Sequence, residues 1–285
     1  MYKTILELTK AAEKNNSMVG AFNAHNLEMI PDMIRGAKEM NAPIIIQVNI
    51  GTGTYIGYDV IVAIVKTLAK KESIDIALHL DHARDFTEIK KAIKAGFNSV
   101  MYDGSHLSLK ENTKNTREVV NYAHRYGVAV EGEIGSIGGV EDGIVTNNKD
   151  EMYTDPKEAK QFVIESGCDI LAVAIGTNHG QYTSKAELNI PLLDKIRKEV
   201  DIPLVIHGGT GVKESDYPKL IDGGVRKFNV GTELLVNWTK VAKNNFATTE
   251  LNRSLRYNLI PANTAVKEII KHKISLFQGV KKEYE

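Results

Sequence analysis

Three histidines fall after short apolar runs: His82 after 76–80, His179 after 170–175 and His207 at the tip of 202–206. Neutral imidazole is the commonest metal ligand, and three such nitrogens form an open zinc site that keeps a position for substrate. Each of the three stands beside an Asp or a Gly, in Asp81-His82, His179-Gly180 and His207-Gly208. A second group is glycine-rich: His207-Gly208-Gly209-Thr210-Gly211, and Asn229-Val230-Gly231-Thr232 at the start of a helical pattern. Glycines let backbone N–H groups close on an anion, Thr232 can cap the helix, and the helix N-terminus carries partial positive charge. Both stretches therefore suit a phosphate. A third group comprises the carboxylates Asp81, Asp103, Glu133, Glu141 and Asp142. Acids beside a metal can move protons while the metal takes up charge. Side chains alternate along a strand, so Asp81 and His82 reach one opening only if the backbone turns between them.

Other residues of the same types read more plainly. His106, in Asp103-Gly104-Ser105-His106, also follows a strand-like run and rivals the three as a ligand. His25, His124 and His272 read as structural or surface residues, and His79 as a core residue within its strand. Gly51-Thr52-Gly53-Thr54 reads as a turn, and the glycine-laden 135–143, which carries Glu141 and Asp142, as a loop.

A scaffold must bring these distant stretches together, and the chain's alternation describes one. Strand-like runs lie at 19–23, 43–48, 76–80, 99–102, 128–133, 170–175, 202–206 and 227–230. They are short, β-branched and apolar on both faces, as parallel strands covered on two sides must be. Helical patterns fall at 27–40, 60–70, 86–95, 110–126, 156–166, 191–199 and 215–222. Asp155-Pro156 starts one as N-cap plus first-turn proline, and Gly96, Gly167 and Gly223 end others. Eight strand–helix pairs spaced by roughly 25–40 residues fit a (β/α)8 TIM barrel. An open doubly wound sheet would put a glycine-rich turn after its first strand, where this chain has Phe22-Asn23-Ala24-His25-Asn26. Patterns at 233–244 and 264–277, joined by a polar segment around 248–261, predict appended C-terminal helices. The expectation is one TIM-barrel domain over 1–285, with 245–285 as a helical extension. Function in this fold sits at the carboxyl ends of the strands, where the three histidines, the glycine turns and the acids fall. Lys227 starts the last run at the opposite end, and no lysine is placed to form a Schiff base.

Composition narrows the partners. The chain has 285 residues, 42% apolar and 25% charged, with 36 basic against 36 acidic side chains. That is ordinary globular usage, which excludes disorder as the main state. Zero net charge argues against nucleic acid or an anionic membrane as a partner, because both call for a basic excess. The single cysteine, Cys168, forms no intramolecular disulfide and reads as a buried small hydrophobe. The opening Met1-Tyr2-Lys3-Thr4 runs into Ile5-Leu6-Glu7-Leu8 without the pattern of a signal peptide, and the longest uncharged run, 42–58, is too polar for a membrane span. A cytoplasmic protein is expected.

The motifs together resemble a known family. His79-Leu80-Asp81-His82, Glu131-Gly132-Glu133-Ile134-Gly135 continuing to Gly138-Gly139-Val140-Glu141-Asp142-Gly143, His207-Gly208-Gly209-Thr210-Gly211 and Lys227-Phe228-Asn229-Val230-Gly231-Thr232-Glu233-Leu234 are similar to those of class II, zinc-dependent ketose-bisphosphate aldolases. Fructose- and tagatose-bisphosphate aldolases are the main members, and the likeness runs from about residue 4 to 278. It implies that His82, His179 and His207 bind Zn2+, with Glu133 close to the metal, and that Asp81 is the acid/base at the C4 oxygen. It further implies that Glu141 moves the C3 proton, and that Asn23 contacts substrate. Gly180, Gly208, Gly209, Thr210, Asn229, Val230, Gly231 and Thr232 would hold the dihydroxyacetone-phosphate half. Arg256 falls where relatives grip the distal phosphate, and a monovalent cation, Na+ or K+, is expected near the phosphate site. A homodimer or homotetramer is implied as well.

Some positions depart from the family's common pattern. Ala83 stands where glycine or histidine is usual, Tyr102 replaces an aliphatic residue, and Gly231 an alanine or asparagine. The segment Thr249-Glu250-Leu251-Asn252 matches poorly. Trp238 resembles relatives that cleave a phosphorylated deoxyketo-gluconate, which is the alternative substrate class. A non-catalytic sugar-phosphate-binding barrel is the other alternative, and would be expected to lose a ligand or the acid, all four of which this chain keeps.

Overall fold

The computed structural model describes residues 1–135, 138–141, 144–146, 153–179, 187–250 and 253–278, with the backbone alone for 138–141, 144–146, 178 and 179. The expected runs form strands β1 (Val19–Asn23), β2 (Ile44–Val48), β3 (Ile76–Ala83), β4 (Ser99–Tyr102), β5 (Ala129–Ile134), β6 (Ile170–Val173), β7 (Leu204–Ile206) and β8 (Val225–Val230). Each pairs in parallel with the next, and β1 pairs with both β2 and β8, so the sheet closes. The helices are α1 (Ile5–Lys14), α2 (Ile30–Glu39), α3 (Ile50–Ile56), α4 (Tyr58–Glu72), α5 (Phe86–Ala95), α6 (Leu109–Ala123), α7 (Pro156–Ser166), α8 (Ile190–Glu199), α9 (Tyr217–Asp222), α10 (Thr232–Thr248) and α11 (Leu255–Phe277). Outward strand residues such as Ile44, Ile46, Leu78 and Val130 share one apolar cluster with Ile34, Val65, Ile89, Phe162 and Ile196 from the surrounding helices. This is the (β/α)8 TIM barrel.

The helix punctuation follows the chemistry read above. Asp155 caps α7 by accepting from the N–H groups of Lys157 and Glu158, and Gly96 (φ 112°) and Gly167 (φ 72°) end α5 and α7 in left-handed conformations. Cys168 is buried, and burial pushes its thiol up to about 12.

Inside the barrel, the residues change character along the axis. Toward the amino ends they are Val19, Ala21, Ile45, Ala77, Ala129, Ile170, Ala172 and Val205, clustered with Ile5, Leu8 and Ala12 of α1. From mid-strand to the carboxyl ends the alternating positions carry Asn23, Gln47, His79, Asp81, Glu131, Glu133, Lys227 and Asn229, all buried. Helix α1 therefore floors the barrel. A capping box starts it: the Thr4 hydroxyl accepts from the Glu7 N–H, and the Glu7 carboxylate accepts from the Thr4 N–H at 2.8 Å.

Four local expectations change. Residues 51–54 lie in a helix, α3, because Asn49 caps it and Gly57 stops it; the glycines' poor helix propensity hid that start. Within 135–143, Gly138–Glu141 is a strand, antiparallel to Ile144–Thr146 and parallel to Asn178–His179. The β-branched Val140, Ile144 and Val145 favour such pairing over a loop. At α10, Gly231 takes the N-cap position and Thr232 is the first helical residue without a side-chain cap, so Thr232 does not cap. Helix α11 already begins at Leu255, inside the segment expected to be a polar connection, and accommodates Pro261 in its second turn. Among the described residues, no helix is long and apolar enough to cross a membrane.

Candidate active site

Strand β3 breaks its alternation at its carboxyl end. Its pairing with β4 shifts register between Leu80 and Ala83, and His82 takes φ 47°, a left-handed conformation uncommon outside glycine. The turn brings neighbouring side chains to one mouth: ligand atoms of Asp81, His82 and His207 all lie within 4.8 Å of one another. His82 Nε2 and His207 Nδ1 are 2.8 Å apart, with the rings edge to face. Bonds of about 2.0–2.1 Å at a tetrahedral zinc separate two nitrogens by about 3.3 Å, so a shift of about half an ångström admits an ion.

Carboxylates hold the far side of each ring, as they do for metal-ligating histidines generally. His207 Nε2 lies 2.7 Å from Glu131 Oε1, and His82 Nδ1 lies 3.5 Å from Asp103 Oδ2. Asp103 is itself fixed, by Arg84 at 2.8 and 2.9 Å and by the Ser105 hydroxyl at 2.6 Å. Glu133 Oε2 stands 3.5 Å from His207 Nδ1. Burial, with the positive charges of His82 and Lys227, holds His207 well below the usual imidazole range, against the pull of Asp81 and Asp103. A neutral ring with its lone pair toward His82 is what a metal requires. The donor set fits a divalent ion.

Asp81 is a buried carboxylate among amide donors. Asn23 Nδ2 and Gln47 Nε2 each donate to Oδ2 at 2.9 Å, and Asn229 Nδ2 approaches Oδ1 at 3.4 Å. Gln47 Nε2 also donates to Asn23 Oδ1 at 2.8 Å, which locks the pair. Burial alone would raise the Asp81 carboxyl, but His82, Lys227, His207 and the Asn23 amide outweigh it and hold the group below the ordinary carboxylate range. An ionised base is thus ready at the mouth.

The glycine turns follow adjacent strands, β7 and β8. A Cβ on Gly209 would meet the Phe228 ring at 2.1 Å and the Asn229 carbonyl at 2.6 Å, so only glycine lets this turn lie against β8. Gly208 adopts φ 66°. The Val230 side chain belongs to the outer apolar cluster, which leaves its backbone for the mouth. Helix α10 starts at Thr232 with no side-chain cap, and its first helical bonds run from the Leu234 and Leu235 N–H groups to the Gly231 carbonyl.

The sequence-derived residues therefore divide. Asn23, Asp81, His82, Glu133, His207 and Asn229 meet around one opening. His179 and Glu141 lie on the paired short strands, with side chains outside the described residues, as Gly180 and Asp142 are entirely. His106 is exposed and outside the ligand group, while His124 and His272 pair at the surface with Asp169 and Glu214. Arg256 is exposed at the start of α11, bonded to Ser254 at 3.0 Å and stacked on Tyr257. Sequence reasoning missed Gln47, Glu131 and Lys227. The signal was a polar residue within an apolar strand, as Gln47 is after Ile44-Ile45-Ile46. Lys227 is the third residue of β8, not its first, and it points into the barrel to Glu131.

A parallel barrel whose carboxyl mouth joins imidazoles, a buried acid and two glycine turns is a TIM barrel with a site suited to a metal ion and an anionic ligand. The chain belongs to the class-II fructose-bisphosphate aldolase family, whose sequence profile matches residues 3–282. It is 39% identical over 260 residues, 91% of this chain and 92% of the other, to the D-tagatose-1,6-bisphosphate aldolase subunit GatY of Klebsiella oxytoca. The crystal structure of the YdjI aldolase from Escherichia coli superposes over 100% of both chains with a TM-score of 0.86 and 32% identity. Fructose-bisphosphate aldolase from Campylobacter jejuni shares the fold, with a TM-score of 0.82 at 22% identity over 97% of this chain and 95% of that one. The family is zinc-dependent, and Asp81, His82 and His207 form a possible metal site.

Proposed function

We propose that this aldolase reversibly cleaves a ketose 1,6-bisphosphate, fructose or tagatose, into dihydroxyacetone phosphate and glyceraldehyde 3-phosphate, using Zn2+. The convergence of His82, His207 and Asp81 within 4.8 Å carries this reading. The relative named for tagatose bisphosphate supports the substrate class. In the proposal, His82, His179 and His207 hold the zinc, with Glu133 beside it. When bound, the ion supplies Lewis-acid stabilisation of the negative charge that develops on the substrate's carbonyl oxygen.

The chain's own residues do the remainder. Asp81 takes the C4 hydroxyl proton in cleavage and returns it in condensation, since its amide donors keep it ionised between turnovers. Asn23 orients Asp81 and reaches the substrate. Glu141 moves the C3 proton. Backbone groups of Gly180, Gly208, Gly209, Thr210 and Asn229 through Thr232 bind the dihydroxyacetone-phosphate half, with Na+ or K+ near the phosphate. Arg256 grips the distal phosphate. The proposal further comprises a single domain over 1–285, a cytoplasmic location and a homodimer or homotetramer. The exposed Leu235, Val236, Phe246, Leu255 and Ile260 on α10 and α11 support self-association.

A coupled assay on metal-replete protein, comparing fructose and tagatose bisphosphates with a phosphorylated deoxyketo-gluconate, tests the reading. Cleavage of a bisphosphate that is abolished by chelation and restored by Zn2+ is expected. Activity that survives full chelation, or cleavage of neither bisphosphate, overturns it.

A further inference from the structure

Lys227 is a fully buried cation in the middle of β8. Packing alone does not call for it, because methionine would fill the same space without a charge to desolvate. An ammonium offers donors and no acceptor. Nζ lies 2.8 Å from Glu131 Oε2 and donates to Asn229 Oδ1 at 2.7 Å. Both of these groups have a second end at the site. Glu131 Oε1 lies 2.7 Å from His207 Nε2, and Asn229 Nδ2 faces Asp81 Oδ1 at 3.4 Å. Strand alternation builds the arrangement, since Lys227 and Asn229 stand two apart on β8 and face inward together.

The donor-only chemistry of lysine sets direction on both arms. Asn229 must offer its oxygen to Nζ, which turns its NH2 toward Asp81. Glu131, held through Oε2, presents Oε1 to His207 Nε2. That nitrogen then carries the proton, and Nδ1, which faces His82, keeps the lone pair. One buried cation thus sits behind both the imidazole and the acid.

We propose that Lys227 is a positioning residue of this aldolase, fixing the tautomer and orientation of His207 through Glu131 and the facing of the Asn229 amide through its oxygen. The inference rests on the reading of His207 as a metal ligand and Asp81 as the proton-transfer group. It is tested with Lys227→Met and with the charge-balanced double variant Lys227→Met/Glu131→Gln, each compared with wild type. The readouts are zinc affinity by competition with a chromogenic chelator, the visible spectrum of the Co2+-substituted protein, and kcat and KM measured separately. Both variants are expected to lose about 10–100-fold in zinc affinity and in kcat, with an altered Co2+ spectrum and KM within about threefold of wild type. If the single variant fails to fold because Glu131 is left without a countercharge, the double variant compared with Glu131→Gln alone decides, by the further loss that removing Lys227 adds. Return of zinc affinity, spectrum and kcat to wild-type values in the double variant would show a merely structural cation and overturn the proposal. Wild-type protein that binds no zinc would instead sink the reading of the site, which the wild-type titration reveals separately.

Discussion

Replacing Gln47 by methionine separates the chemistry of the site from its stability. Gln47 is fully buried and donates at 2.9 Å to Asp81 Oδ2, one of two short donors on that oxygen. A hydrogen bond to a charged group contributes about 1.5–3 kcal/mol, roughly 10–150-fold in an equilibrium. The donor favours the ionised carboxyl, which is held below its ordinary range, so its loss raises the group. A base is active only when ionised. The acid limb of kcat/KM should therefore move to higher pH, with activity at neutral pH falling least. Stability runs the other way. Gln47 Oε1 is buried with no hydrogen-bond partner among the described residues, so methionine removes an unsatisfied acceptor while it keeps the volume. Asn23 Oδ1 loses a donor in exchange. The melting temperature should stay within about 3 °C of wild type. A pH–rate profile paired with a thermal melt checks both statements. An unmoved acid limb with kcat/KM within about twofold of wild type would refute the argument.

Other perturbations act on separate parts of the molecule. Asp81→Asn should lower kcat by about 10²–10⁴-fold, the usual contribution of a positioned base, and steady-state kinetics on zinc-loaded protein measure it. Gly209→Ala drives a methyl into Phe228 and the Asn229 carbonyl; we expect a loss of about 1–3 kcal/mol in denaturant titrations together with a raised KM. Thr4→Ala removes the cap of α1 and should cost about 1 kcal/mol by the same titration. Lys267 and Lys271 hold the Glu39 carboxyl at about 2, so its stabilising contribution is present above the ordinary carboxylate range and is lost as pH falls toward 2. The melting-temperature gap between wild type and Glu39→Gln should close over that interval.

The barrel was legible because two-sided burial writes itself as short apolar runs, and the glycine and Asp-Pro signals marked the helix ends. The neighbours Asp81 and His82 were legible as types but not as a pair, because alternation argues against them; only the left-handed turn at His82 reconciles the two. Gln47, Glu131 and Lys227 were illegible for another reason. A polar residue inside an apolar strand announces burial, yet its partners come from strands far apart in sequence, and pairing register alone decides which of them meet. Helix α3 was hidden by its own glycines, and the start of α11 by Pro261.

The floor that α1 lays beneath the barrel has a consequence for isotope exchange. Ile5, Leu8 and Ala12, packed against Ala77, Ala129 and Val205, put an apolar layer beneath the interior column. Deuterium is then expected to reach Lys227 through the rim that admits substrate, so an occupied rim should slow labelling of that ammonium far more than labelling of the outer helices.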